Sequence, residues 1–374
     1  MSELFRSTAN EIYARLKNGE ISPLNCLDAL EARISQVDSK VNALPTLCFD
    51  RARAHARELM KKPLDERGVL LGLPVPIKDL SDVAGVRSTQ GSPIFANRIA
   101  PTSDVMVTHL EKKGAIVYAM SNTPEFGAGA NTFNEVFGRT LNPWNTSRSA
   151  AGSSGGAAVA LATGTAWLAQ GSDLGGSLRN PASFCGVVGM RPSPGRVAAS
   201  VASKIDSTLG IEGPMARNVE DLALLFDAMI GEEPADPISL PSDGTSYLKA
   251  ARSGWKPKRV AISSDLGISP VDPEVADIVM KAASEFEQAG VIVEEAHPDF
   301  HEAMECAQTL RALSYAVGMR SLLENHRTQL KPEVIWNIEK GLALTGAEIS
   351  RAESQRGTMF QRTRKFFETY DLLL

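Results

Sequence analysis

Gly171-Ser172-Asp173-Leu174-Gly175-Gly176-Ser177-Leu178-Arg179 lays a serine on a bed of glycines between two charged residues. Upstream, Ala151-Gly152-Ser153-Ser154-Gly155-Gly156 repeats the theme and leads into Ala157–Ala162, which reads as an apolar helix. Ser153 and Ser177 are 24 residues apart. Glycines let backbone N–H groups approach a ligand closely and adopt positive φ. A run of such N–H groups makes a concave nest for a developing oxyanion. Taken alone, either segment equally describes a phosphate cradle or a tight turn.

Working outward, Gly68 to Leu80 is apolar and punctuated by Gly and Pro, which predicts a short buried strand entering a rigid turn. Near its end stands Lys78, with two readings left open: a surface lysine paired with Asp79, or a buried amine acting as general base. The second needs a downward pKa shift of roughly 3 units, about 4 kcal/mol, which burial can supply.

The flanking pattern alternates helix and strand. Ser22-Pro23 predicts a helix start, followed by Leu27, Leu30, Ile34 and Val37 at helical spacing. Ser103 and Asp104 are placed to cap a helix through Lys113, Gly114 to end it, and Ala115–Met120 to form a buried strand. Asn218 caps Val219–Met229. Later come a strand at Val260–Ser263, a helix at Pro273–Ala289 and a strand at Val291–Glu295. Helices at Glu302–Asn325, Pro332–Leu344 and Ala347–Tyr370 follow, with Asp371–Leu374 as a strand half-started. Interleaved helices and short apolar strands predict a layered α/β architecture.

With 374 residues the chain is able to bury a deep core without disulfide or metal staples. The net charge of -5 and the pI of about 5.7 argue against a nucleic-acid or anionic-membrane footprint. Cys26, Cys48, Cys185 and Cys306 lack CxxC spacing, which predicts reduced thiols and a cytoplasmic location. Neither a signal peptide nor a membrane span is visible. There is no HExxH, no paired Cys/His spacing and no Walker A sequence, so no metal or cofactor is expected. Gly152–Gly156 also satisfies G-x-S-x-G around Ser154, but five loosely constrained residues match often by chance.

Three pieces together resemble the amidase signature family of serine hydrolases: Gly72-Leu73-Pro74-Val75-Pro76-Ile77-Lys78-Asp79, the Gly152–Gly156 run, and Gly171 through Gly186. Agreement extends through Asn122-Thr-Pro-Glu-Phe126, Asn142-Pro-Trp144 and Gly213-Pro-Met-Ala-Arg217, and runs to Leu374. The resemblance implies a layered α/β/α fold with a mixed, twisted central sheet in a single domain. Within it, residues 1–65 would be N-terminal helices, 66–230 the catalytic core, 231–258 a surface excursion and 259–374 the C-terminal helices and strands. It implies Ser177 as acylated nucleophile, Ser153 as the bridging serine after a cis peptide, and Lys78 as base. The N–H groups of Leu174, Gly175, Gly176 and Ser177 would form the oxyanion hole, and Gly127 would line the acyl pocket. Asp173 and Arg179 are expected to pair structurally, and Phe126, Phe133 and Phe137 to belong to the core.

The expected substrate is a small-molecule amide, with no nucleic-acid or membrane partner and a homodimer as the candidate assembly. Departures from the family pattern are Ala151 for the usual Gly, Ala119-Met120-Ser121-Asn122 for a common Gly-Lys-Thr-Asn, and Arg191 for Lys. One rival is the glutamine-dependent amidotransferase component that makes Gln-tRNA within the same family. Those proteins read Leu-Asp-Gln before a hydrophobic residue and Gly-Pro, where this chain has Leu209-Gly210-Ile211-Glu212-Gly213-Pro214. A non-catalytic binding homologue is the other rival. Family members also continue past a strand like Asp371–Leu374, so a truncated chain is expected.

Overall fold

Capping chemistry starts the first helices. The computed structural model describes residues 3–199, 208–242 and 244–374. It opens with α1 (Ala9–Lys17) and α2 (Pro23–Val41), each begun by a capping box: Thr8 accepts from the Glu11 N–H and Ser22 from the Asn25 N–H. Next come β1 (Thr46–Leu47), α3 (Phe49–Met60), β2 (Pro74–Lys78), α4 (Val105–Lys112) and β3 (Ile116–Ser121). The small hairpin β4 (Phe133–Asn134) and β5 (Gly138–Arg139) precedes α5 (Gly155–Thr163), β6 (Leu168–Asp173) and α6 (Arg179–Cys185). Then follow β7 (Val188–Gly189), β8 (Ile211–Ala216), α7 (Val219–Met229) and α8 (Tyr247–Ala251). The remainder is β9 (Arg259–Ile262), α9 (Pro273–Gln288), β10 (Ile292–Glu295), α10 (Ala303–His326), α11 (Pro332–Leu342), α12 (Gly346–Phe366) and β11 (Leu372–Leu373).

These elements gather into two compact units, Met1–Ser253 with Glu324–Val334, and Gly254–Leu323 with Ile335–Leu374. In the first, β3 lies between β1, antiparallel, and β2, parallel, while β8 lies between β6 and β7, antiparallel to both. In the second, β9 is flanked by β10 and β11, both parallel to it. The pairing is mixed, as the fold class requires, but the ladders are separate. Beside β2 the Lys78 N–H donates to the side-chain Oε1 of Gln170 on β6 at 2.8 Å, so a side chain takes the place of a backbone rung.

Every residue of β2 and β3 is buried, as is α5 from Gly155 to Leu161. A helix apolar all round needs cover on every side, and α5 is the wall on which the glycine-rich loops rest. Gly156 makes that packing possible. A Cβ there would stand 2.3 Å from the Asn122 nitrogen and 2.6 Å from the Ala43 oxygen.

Some expectations change. Asp104 precedes α4 but does not cap it through its side chain. Its Oδ2 accepts from the Asp82 N–H and Ser103 Oγ from the Ala84 N–H, because the loop beside them offers unpaired donors. The 231–258 excursion carries α8, which Ser246 caps by accepting from the Lys249 N–H. Phe126 is buried, but Phe133 is 39% exposed, with the Lys331 ammonium 5.4 Å from its ring centroid. A short hairpin turned to solvent cannot bury an outward residue, so Phe133 is not core.

Candidate active site

Lys78, at the end of β2, has no solvent-exposed surface. Its Nζ lies 2.6 Å from Ser153 Oγ, 2.9 Å from Ser154 Oγ and 3.0 Å from Ser172 Oγ. A buried ammonium surrounded by hydroxyls has lost its water without gaining a full counter-charge. Burial therefore lowers the Lys78 pKa to about 7, against the upward pull of Asp173 and Glu212. The Asp79 pairing is absent. That carboxylate accepts from the Thr89 N–H at 2.8 Å and the Thr89 hydroxyl at 2.5 Å, and burial raises it to about 6 despite both bonds.

The Gly152–Ser153 peptide is cis, and Ala151 has a φ of 55°. The glycine-to-alanine departure thus falls on backbone that glycine adopts more readily. Gly127, with a φ of 68°, faces the same serine: a Cβ there would stand 3.5 Å from Ser153 Oγ and 2.9 Å from Leu80 Cδ1.

Asp173 organises the loop after β6. Its carboxylate accepts from the Gly176 N–H at 2.8 Å, from the Leu178 N–H at 3.1 Å, and from Arg179 through Nε and Nη2, both at 3.0 Å. Arg191 donates to the Asp173 carbonyl and to the Thr208 carbonyl. Burial alone would raise Asp173, but the Arg179 fork and the two N–H groups outweigh it and hold the pKa at about 2. Asp173 and Arg179 are paired, as anticipated. Asp173→Ala strands those donors and is expected to cost about 2 kcal/mol, read as a lower urea midpoint.

The Gly176 N–H is thereby turned to Asp173. Among the described residues, the N–H groups of Leu174, Gly175 and Ser177 have no acceptor. Ser177 is half-buried, and its carbonyl accepts from the Ser154 N–H at 3.1 Å, which ties the two glycine-rich segments together. Its hydroxyl forms no hydrogen bond among the described residues, so the expected Ser153–Ser177 contact is not made here.

Sequence reasoning misses two neighbours of Lys78, Ser154 and Ser172. Ser154 enters only as the centre of G-x-S-x-G. Its hydroxyl instead bonds Lys78 and the Ser172 carbonyl, and histidine is not among its partners. Ser172 carries a signal: strand period puts Gln170 and Ser172 on one face of β6, and both meet Lys78.

A model of the Amidase family matches residues 25–374. The chain belongs to the amidase family. An acylamidase of Rhodococcus erythropolis is 34% identical over 371 residues, 98% of this chain and 78% of that protein. The glutamyl-tRNA(Gln) amidotransferase of Geotalea daltonii contributes a second relative, its A-type component. That protein is 35% identical over 302 residues, 80% of this chain but 62% of its own length. The crystal structure of a bacterial aryl acylamidase of the amidase signature family superposes with a TM-score of 0.90 at 28% identity. That match covers 98% of this chain and 79% of the other. This amidase is thus a hydrolase of amide bonds on an amidase signature fold. Among its described residues no group of three or more His, Cys, Asp or Glu side chains is placed to hold a metal ion, and no helix is long and apolar enough to cross a membrane.

Proposed function

We propose that this amidase cleaves a carboxylic amide to acid and amine through an acyl-enzyme on Ser177, with Ser153 as proton bridge and Lys78 as general base. The observation that carries the reading is the buried Lys78 amine 2.6 Å from Ser153 Oγ. Neutral Lys78 takes the Ser153 proton while Ser153 takes that of Ser177. Ser177 Oγ bonds to the amide carbon, and the oxyanion is received by the N–H groups of Leu174, Gly175 and Ser177, with Gly176 free to join if it leaves Asp173. Such donors contribute roughly 3–4 kcal/mol each in comparable holes. The relay then reverses to protonate the departing amine, and water releases the acid. This bridge requires Ser177 Oγ to rotate to Ser153 when substrate binds, since catalytic hydrogen bonds often tighten only in the complex.

The substrate class we infer is a small acyl or aryl amide, supported by the acylamidase relatives. Gly127 would line its acyl side. The four unpaired cysteines suit a reducing, cytoplasmic setting. The test is a panel of primary amides, anilides and glutamine. Turnover of anilides or simple amides is expected, whereas ammonia release from glutamine alone would favour the amidotransferase reading.

The pH dependence follows from Lys78. Its free-base form is the active one, and its pKa lies near 7. kcat/KM is therefore expected to rise tenfold per pH unit below that value and to level off above it. A flat profile from pH 5 to 8 would remove Lys78 from the base role.

A further inference from the structure

Beside the base lies a carboxylate that the mechanism leaves unused. Glu212 on β8 stands opposite Ser172 on β6 in antiparallel register. Opposed residues share a sheet face, and Ser172 is itself bonded to Lys78. Glu212 Oε1 accepts from Ser81 Oγ at 2.8 Å. Ser81 sits three residues past Lys78, in the turn where its N–H donates to the Lys78 carbonyl. Glu212 Oε2 is buried and has no hydrogen-bond partner among the described residues.

The charged groups that face Glu212 are Lys78 on β2 and Asp104 at the start of α4. They act in opposite directions. Asp173, the other carboxylate that acts on Lys78, carries Arg179 and Arg191, whereas Glu212 forms no ion pair among the described residues. Of the two carboxylates that pull on Lys78, Glu212 is thus the one without an ion-pair partner among the described residues. Burial also raises the pKa of that carboxyl, to about 7, against the Ser81 bond. Each group thus favours the charged form of the other.

We propose that Glu212 is a positioning residue for the base, exchanging a single proton with Lys78 so that its charge sets the pH at which the amine becomes free. The exchange is balanced: ammonium and carboxylate on one side, amine and carboxylic acid on the other. With the proton on Glu212, Lys78 has its lone pair available to Ser153. With the proton on Lys78, the Glu212 charge favours the ammonium among its three hydroxyl neighbours. The inference rests on the role given to Lys78 above.

The experiment follows Lys78 directly, by NMR titration of protein carrying 13Cε-lysine, the resonance assigned by its loss in Lys78→Arg. Removing an opposite charge at this range shifts a neighbour's pKa by roughly one unit. Glu212→Gln is therefore expected to lower the Lys78 midpoint by about that much. The acid limb of Ser177 labelling by a fluorophosphonate should move the same way. Ser81→Ala removes the donor that favours the carboxylate, so a smaller shift in the same direction is expected. It also keeps the test open should Glu212→Gln fail to fold. Glu212→Asp should restore most of the wild-type midpoint. Midpoints unchanged in both Glu212→Gln and Ser81→Ala, or moved upward, would overturn the proposal. Failure of the function itself shows elsewhere, as an enzyme that turns over none of the amides while Lys78 still titrates with Glu212.

Discussion

Ser177→Ala is expected to reduce amide turnover by at least about 10³-fold while leaving the fold intact. The side chain is half-buried and its hydroxyl makes no hydrogen bond among the described residues, so its removal strands no partner. The backbone that matters structurally, the Ser177 carbonyl held by the Ser154 N–H, survives the change. What disappears is the oxygen that the proposed mechanism acylates. Residual activity would then come from N–H donors and substrate positioning alone. The measurement is kcat on the best amide of the panel, with circular dichroism and urea unfolding as folding controls. A variant within threefold of wild type would refute the acyl-enzyme on Ser177. A binding homologue makes the opposite forecast, in which neither protein turns over amide or takes a fluorophosphonate.

The second large effect is on stability. Gly156→Val is expected to cost about 3 kcal/mol or more, because the added carbons meet backbone rather than side chains. The Asn122 nitrogen, Ala43 oxygen and Asn122 oxygen lie 2.3, 2.6 and 2.8 Å from a Cβ at this position. None of those atoms is able to rotate away. Relief requires α5 to lift from the strand β3 end, which carries Gly155, Ser154 and Ser153 with it. Stability and activity should therefore fall together. Gly175→Ala is the control, since a Cβ there meets nothing within 4 Å. Its unfolding midpoint is expected to stay within about 0.5 kcal/mol of wild type. Equal stability for the two variants would show that the close approach at Gly156 is not limiting.

Much of the local architecture was legible in the residues. The helix starts at Ser22-Pro23 and Asn218, the buried run ending at Lys78 and the strand at Leu372–Leu373 all depend on neighbours a few positions away. Capping and alternation act at that range, and Asp173 with Arg179 does too, at six residues' separation. Asp104 is the instructive exception. A good capping residue gave its carboxylate to the Asp82 N–H, 22 residues upstream, where an unpaired donor outcompeted the helix end.

The amino-acid sequence by itself determined which groups are available for chemistry: one lysine after a buried strand, and serines on beds of glycine. Only the tertiary structure decided what they do to one another. Lys78 and Ser153 meet across 75 residues of chain, Lys78 and Ser172 across 94, Ser81 and Glu212 across 131. Those encounters depend on which strands lie side by side, and a local pattern carries no record of that. Burial is decided there as well. A lysine in an exposed turn is an ordinary cation, whereas Lys78, buried, is held more readily as the neutral amine, because the cost of keeping its charge depends on the water the fold removes.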